Sequence, residues 1–195
     1  MKVVALDISS KTGFAVFIDA KLSSFGLLKN DKKVADYGSY PFNYLLAAKD
    51  MATKMLEFIE KEKPDILVIE SLNLGKSRWS NHYLEMIHCV LLYHLFIDKF
   101  PGKIIYLDSS MWRHTLGQKA SKEDRKNNAK VNKAAKEGVS KKSLGLVGKR
   151  TPKHRSVEYA NKTFNLNLKI GNNDISDAIC LGWALIQGAT PSEGK

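Results

Sequence analysis

Hydrophobic and polar positions along this chain keep two rhythms, and the switches between them lay out its elements. Lys2 to Ile8 is an apolar, β-branched run and Gly13 to Ile18 a second one, with the turn-like Ser9-Ser10-Lys11-Thr12 between them, so both read as strands. Lys33 to Tyr40 alternates weakly before Pro41 and is expected to be the third strand. Short connections favour antiparallel pairing among these three. From Phe42 to Lys63 apolar residues recur near the helical period at Leu45, Leu46, Met51, Met55, Leu56 and Ile59, and Pro64 closes that helix. Asp65 to Glu70 is almost wholly apolar between its end residues, the pattern of a strand covered on both faces.

A second helix, 80–99, is apolar around most of its circumference, Pro101-Gly102 ends it, and Lys103 to Leu107 forms a fifth strand. Strands four and five each follow a helix, which predicts crossover connections and parallel pairing. His154 to Thr163 and Asp174 to Gln187 supply two more helices. The expected architecture is α/β: a mixed five-stranded sheet, three strands antiparallel and two parallel, with helices on both faces. A single domain over 1–188 is expected, with a flexible tail at 189–195.

Composition narrows the class. A chain of 195 residues with 44% hydrophobic and 26% charged residues has the length of one domain and excludes a collagenous, low-complexity or wholly disordered protein. The longest apolar stretch, Met86 to Ile97, is interrupted by His88 and His94 and falls short of the ~20 residues that span a bilayer, so no membrane partner is expected. The chain starts directly on a strand-like run without the basic and apolar regions of an export signal. Cys89 and Cys180 lie in apolar helical patterns and match no metal-ligand spacing. Free, buried thiols and a cytoplasmic location are the expectation.

The net charge of +11 points to a polyanionic partner, and its distribution says more than its size. Between Gln118 and Lys153 twelve Lys or Arg residues face three acids, a net +9, which leaves only +2 for the rest of the chain. The stretch 118–151 has few large apolar residues and reads as a partly helical or mobile excursion. Its cations Lys119, Lys122, Arg125, Lys126, Lys130, Lys133, Lys149 and Arg150, with Lys153 beside it, are candidates for phosphate contact.

Four acids stand out by their surroundings. Asp7 and Glu70 each end an otherwise apolar strand, where a carboxylate either emerges into solvent or is paired or bound to a metal. Asp174 and Asp177 stand three apart at the start of the last helix, on one face, where they serve either the helix terminus or a shared ligand. Ligands of open α/β sheets bind beyond the carboxyl ends of the strands. Four acids without a Cys or His cluster suit a hard cation, Mg²⁺ or Mn²⁺, better than zinc. Two such ions ~3.5–4 Å apart would activate water and stabilise the leaving oxygen of a phosphodiester.

The order of these features resembles the RuvC branch of the ribonuclease H-like nucleases. Ala5-Leu6-Asp7-Ile8-Ser9 with Gly13, then Leu67-Val68-Ile69-Glu70, then Asn173-Asp174-Ile175-Ser176-Asp177-Ala178 carry the likeness, over roughly 1–117 and 152–188. The resemblance implies a Mg²⁺-dependent endodeoxyribonuclease with Asp7, Glu70, Asp174 and Asp177 holding two ions. It implies cleavage of four-way junctions, with flaps or forks as further branched substrates, in recombination, repair or resolution of replicated DNA. It also implies a homodimer through helix 80–99 and a basic residue near the scissile phosphate, at Lys153 or Arg155. The long basic excursion looks more like phage or viral relatives. Where the family often has an aromatic wedge this chain has Ser71-Leu72-Asn73-Leu74, so Trp79 in Lys76-Ser77-Arg78-Trp79 is a candidate to stack on DNA, or else packs in the core, and Lys76 and Arg78 are candidate DNA contacts beside it. Two other readings stand beside this one. The chain could be a branched-DNA-binding protein without catalysis, or an actin- or hexokinase-like nucleotide-binding domain whose phosphate loop is Asp7 to Gly13.

Overall fold

The computed structural model describes residues 1–72, 78–140 and 142–190, the side chains of 78–80 excepted. Its centre is a five-stranded sheet in the order β3-β2-β1-β4-β5. Strand β1 (Lys2–Asp7) pairs antiparallel with β2 (Lys11–Ile18), which pairs antiparallel with β3 (Lys21–Lys29). On its other side β1 runs parallel to β4 (Ile66–Glu70), and β4 runs parallel to β5 (Lys103–Leu107). The mixed sheet anticipated from the hydrophobic pattern is therefore present, and so are the parallel crossovers.

Both faces of β1 are covered, and the period of two divides its residues between two cores. Val3 and Ala5 join Ala15, Phe17 and Val68 against α6 (Asn173–Ile186), α5 (Pro152–Phe164) and α3 (Ser109–Thr115). Val4 and Leu6 join Val16, Leu67 and Ile69 against α1 (Phe42–Glu62) and α2 (Arg78–Ile97). Each fully buried Leu or Ile here contributes roughly 1.5–3 kcal/mol relative to exposure. Helix α6 lies close on the sheet because Gly182 faces it. A Cβ there would come within 2.6 Å of the Phe17 ring.

Three sequence expectations need correction. The third strand is not 33–40 but Lys21–Lys29, joined to β2 by a tight turn at Asp19 and Ala20 with φ of 47° and 61°. This edge strand is half-exposed, and its Leu-Ser-Ser-Phe-Gly sequence shows no clean alternation. Residues Val34–Tyr37 form one 3-10 turn instead, held where the Tyr37 hydroxyl donates to Asp50 Oδ2 at 2.5 Å. Cys89 is exposed, not buried, because it lies on the side of α2 away from α1, whereas Cys180 is buried as expected. The returning helix, expected from His154, starts at Pro152, so Lys153 as well as Arg155 lies in the first turn of α5.

The basic excursion is partly helical, as anticipated. Helix α4 (Lys122–Lys136) begins at a Ser121–Asp124 capping box, with acids in its first turn and Lys133 and Lys136 in its last. Only Ala134 in this helix is buried, so apolar packing does little to hold it. The later stretch 147–150 is tied to it by side-chain amides: Asn127 Nδ2 donates to Val147 O, and Asn128 exchanges two bonds with the backbone of Arg150 at 2.7 and 2.9 Å. Of the tail expected to be flexible, 191–195 lie outside the described residues.

Candidate active site

The acids converge because of strand register. Leu6 pairs with Ile69 across the parallel β1/β4 seam, so Asp7 and Glu70 stand one step beyond on neighbouring strands about 5 Å apart. Alternation turns both toward the α6 face, since Ala5 and Val68, two residues before each, lie in that core. Asp7 is paired with Gly13 of β2, and this glycine decides how near α6 can come. A Cβ on Gly13 would sit 1.9 Å from the carbonyl oxygen of Asp174, so only a glycine lets the start of α6 rest on the strand.

The first turn of α6 carries Asp174, and Asp177 lies one turn along, 6% exposed. Helix capping does not account for the pair, because the N-cap is Asn172 and its side chain makes no capping bond. Asn173 Nδ2 donates to Asp174 Oδ1 in a short bond.

Electrostatics show how crowded the edge is. Burial first, and then the charges of Glu70, Asp177 and Asp174, push the Asp7 carboxyl well above the usual carboxylate range, against the pull of Arg113. Burial and the Asp177 charge bring Glu70 up to about 7, opposed by Arg113 and by Trp112 and reinforced by Asp108. Burial also raises Asp177, and Arg113, the Ser156 hydroxyl and Lys153 work against it. Four carboxyls from three separated segments thus share one field. Among the described residues, however, no three acidic, His or Cys side chains stand close enough to enclose an ion as they are.

Three participants escaped the sequence reading. Asp108, directly after β5, adds a fifth carboxyl beside Glu70. Arg113 on α3 places Nη2 3.2 Å from Asp177 Oδ1 and lies 4.0 Å over the Trp112 ring. Trp112 is fully buried, and its indole N–H favours the Glu70 carboxylate without reaching hydrogen-bond geometry. The available signal was a polar-aromatic cluster immediately after the fifth strand, at the same carboxyl edge of the sheet.

The candidate DNA-contacting residues divide. Lys119, Lys122, Arg125, Lys126, Lys130, Lys149 and Lys153 are exposed. Lys133 is 77% exposed, with Glu137 at 3.9 Å. Arg150 instead pairs with Asp124 at 3.5 Å and closely with Glu158, and Arg155 Nε donates to Gln118 O at 3.1 Å, so both brace the excursion. Lys76 lies outside the described residues, as do the side chains of Arg78 and Trp79. A groove of about 600 Å³ between Leu56, Leu95 and Phe100 lies at the end of the sheet opposite the acids, where β4 and β5 begin.

By sequence, no protein-family model and no curated protein matches the chain. Solved structures do. Thermus thermophilus RuvC in complex with Holliday junction substrate superposes with a TM-score of 0.62 at 9% identity, covering 96% of this chain and 94% of that one. A further Thermus thermophilus RuvC structure gives 0.59 at 10% identity, with coverages of 96% and 94%. The yeast mitochondrial Holliday junction resolvase Ydc2 gives 0.53 at 9% identity, covering 95% of this chain and 77% of that one. The fold is the ribonuclease H-like fold of the RuvC resolvases.

Proposed function

We propose that this chain is a divalent-metal-dependent endonuclease that cuts branched DNA, with four-way junctions as its principal substrate. The observation that carries this reading is the gathering of Asp7, Glu70, Asp174 and Asp177 at one sheet edge, against the cost of burying like charges together. The donor set fits a hard cation. It offers only carboxylate oxygens, and it holds more negative charge than Arg113 alone can neutralise. Asp7, Glu70, Asp174 and Asp177 would hold Mg²⁺, with Mn²⁺ as a substitute. Bound there, the ion would supply a nucleophilic hydroxide and shield the charge of the leaving oxygen.

The chain's own residues do the rest. Gly13 sets the depth of α6 and so the reach of Asp174 and Asp177. Arg113 orients Asp177. Lys153 brings positive charge to the same carboxyl from the start of α5, where a phosphate would arrive. The exposed face of α4 with Lys119, Lys149 and Lys153 forms the phosphate grip, while Arg150 and Arg155 hold that grip in shape. The exposed side of α2 supports a homodimer: Cys89, Tyr93, Phe96 and Ile97 recur at helical spacing, and Phe96 is 84% exposed. Two copies would present two metal sites to a two-fold branched substrate.

The test is incubation with Mg²⁺ of matched four-way, flapped, forked and linear DNAs, with EDTA controls. Metal-dependent cleavage of the four-way junction in preference to linear duplex is expected. Binding without any cleavage in Mg²⁺ or Mn²⁺ would leave the non-catalytic DNA-binding reading.

A further inference from the structure

Arg113 has an unusual position for a cation. It stands among the acids rather than on the surface, with its side chain 17% exposed beside an Asp177 side chain 8% exposed. Its charge bears on three carboxyls from three elements, Asp7, Glu70 and Asp177. The fully buried Trp112 ring, 4.0 Å from the guanidinium carbon, gives it a flat surface to rest on. The pairing is nevertheless incomplete. Arg113 Nη1 and Asp177 Oδ1 are both buried without a hydrogen-bond partner of good geometry, although the ion pair itself is 3.2 Å long.

A buried ion pair with unfilled hydrogen-bonding capacity is costly to keep and is readily exchanged for a better one. A guanidinium and a hard dication are both drawn to carboxylate oxygens and repel each other, so an ion entering this edge competes with Arg113 for Asp177. Together these features give Arg113 a second role, which rests on the metal-site reading above. We propose that Arg113 is a stand-in cation that holds the carboxylate edge together in the metal-free protein and yields Asp177 when a divalent ion enters. The absence of a closed three-ligand cluster among the described residues accords with this, since Asp177 is turned to Arg113 rather than to its fellow acids.

Thermal unfolding of the whole chain, without DNA, tests the exchange through Arg113→Met and Arg113→Lys. In EDTA, Arg113→Met is expected to lower Tm, and Arg113→Lys to lower it less. Across a Mg²⁺ or Mn²⁺ titration, Arg113→Met should show a larger metal-induced rise in Tm than wild type and a midpoint at roughly tenfold lower metal, because no internal cation competes. An equal loss of Tm at every metal concentration, with the midpoint unmoved, would mean that Arg113 only packs against Trp112 and would overturn the inference. A measurement on unaltered protein guards against a misfolded variant: the Arg113 Nε–H resonance should shift along the same metal titration, and a stationary resonance overturns the inference as well. If wild type gains no stability from either metal, the metal site itself is wrong and this role falls with it. A wild-type gain that the variants leave unchanged removes the role of Arg113 alone.

Discussion

The carboxylate edge and the basic excursion are held by opposite means. At the edge, apolar residues fix the backbone so firmly that charged groups can be forced together: Val4, Ala5, Leu6, Leu67, Val68 and Ile69 are all essentially inaccessible to water, and the acids ride at the ends of their strands. In helix α4 of the excursion only Ala134 is buried, and the asparagine amides and the Arg150 ion pairs do the holding. Rigidity is concentrated at the carboxylates and relaxed along the cations. Metal chemistry needs ligands positioned to fractions of an ångström, whereas phosphate contact tolerates adjustment along a long charged surface.

The comparison can be broken most forcefully at the acids. Asp7→Asn or Glu70→Gln should lower metal-dependent junction cleavage by about 10³-fold or more while the fold survives, because several kcal/mol of charge stabilisation go with the metal. Cleavage near wild-type rate in both variants would refute the assignment, and circular dichroism verifies the fold.

The same crowding predicts an unusual pH response in EDTA. Glu70 stands at about 7 in the folded protein against an ordinary 4.5, so between those values the folded state binds more protons than the unfolded one. Its contribution therefore falls as pH rises through that window, by at most about 3 kcal/mol. The Tm of wild type minus that of Glu70→Gln, followed from pH 4.5 to 8, should decrease. A flat or rising difference would show that Glu70 is not held in this field.

A smaller blow falls on the contact that joins the edge to α6. Gly13→Ala sets a methyl group 1.9 Å from Asp174 O, so α6 must retreat. A shift of about 1 Å there should cost roughly 100-fold in cleavage with little change in junction affinity. Steady-state kinetics separate the two.

On the excursion the response should be graded. Replacing Lys122, Lys126 and Lys130 together by Gln should weaken junction binding and lower the steepness of its salt dependence, by roughly 0.9 for each phosphate that is no longer neutralised. Cleavage at saturating protein should stay near wild type, as binding isotherms and single-turnover assays can establish.

The smallest effect is local. Asn128→Ala removes both bonds to the Arg150 backbone and should free 147–150 at about 1 kcal/mol. Faster amide exchange there, with none at β1, would show that the two regions are held independently.

Much of the site was legible because it sits on regular elements. A carboxylate ending an apolar strand is visible in Leu6-Asp7 and Ile69-Glu70, and a three-residue spacing on a helix in Asp174 and Asp177. The edge strand was misplaced because a half-exposed strand need not alternate, and its Asp19-Ala20 turn lacks the glycine that usually marks one. Arg113 was invisible for a different reason: the acid it pairs with lies 64 residues further on.

The order of residues along the chain is enough for the alternation of strand and helix, the confinement of surplus positive charge to one segment, and the acids at strand ends. These are local matters of period, propensity and composition. It takes the folded chain to bring Asp7, Glu70, Asp174 and Asp177 into one field, to let Gly13 admit α6, and to make braces of Arg150 and Arg155 while Arg113 stands among the acids. Those facts depend on strand register and on the depth at which helices pack, and such distances are set by contacts between residues far apart in the chain.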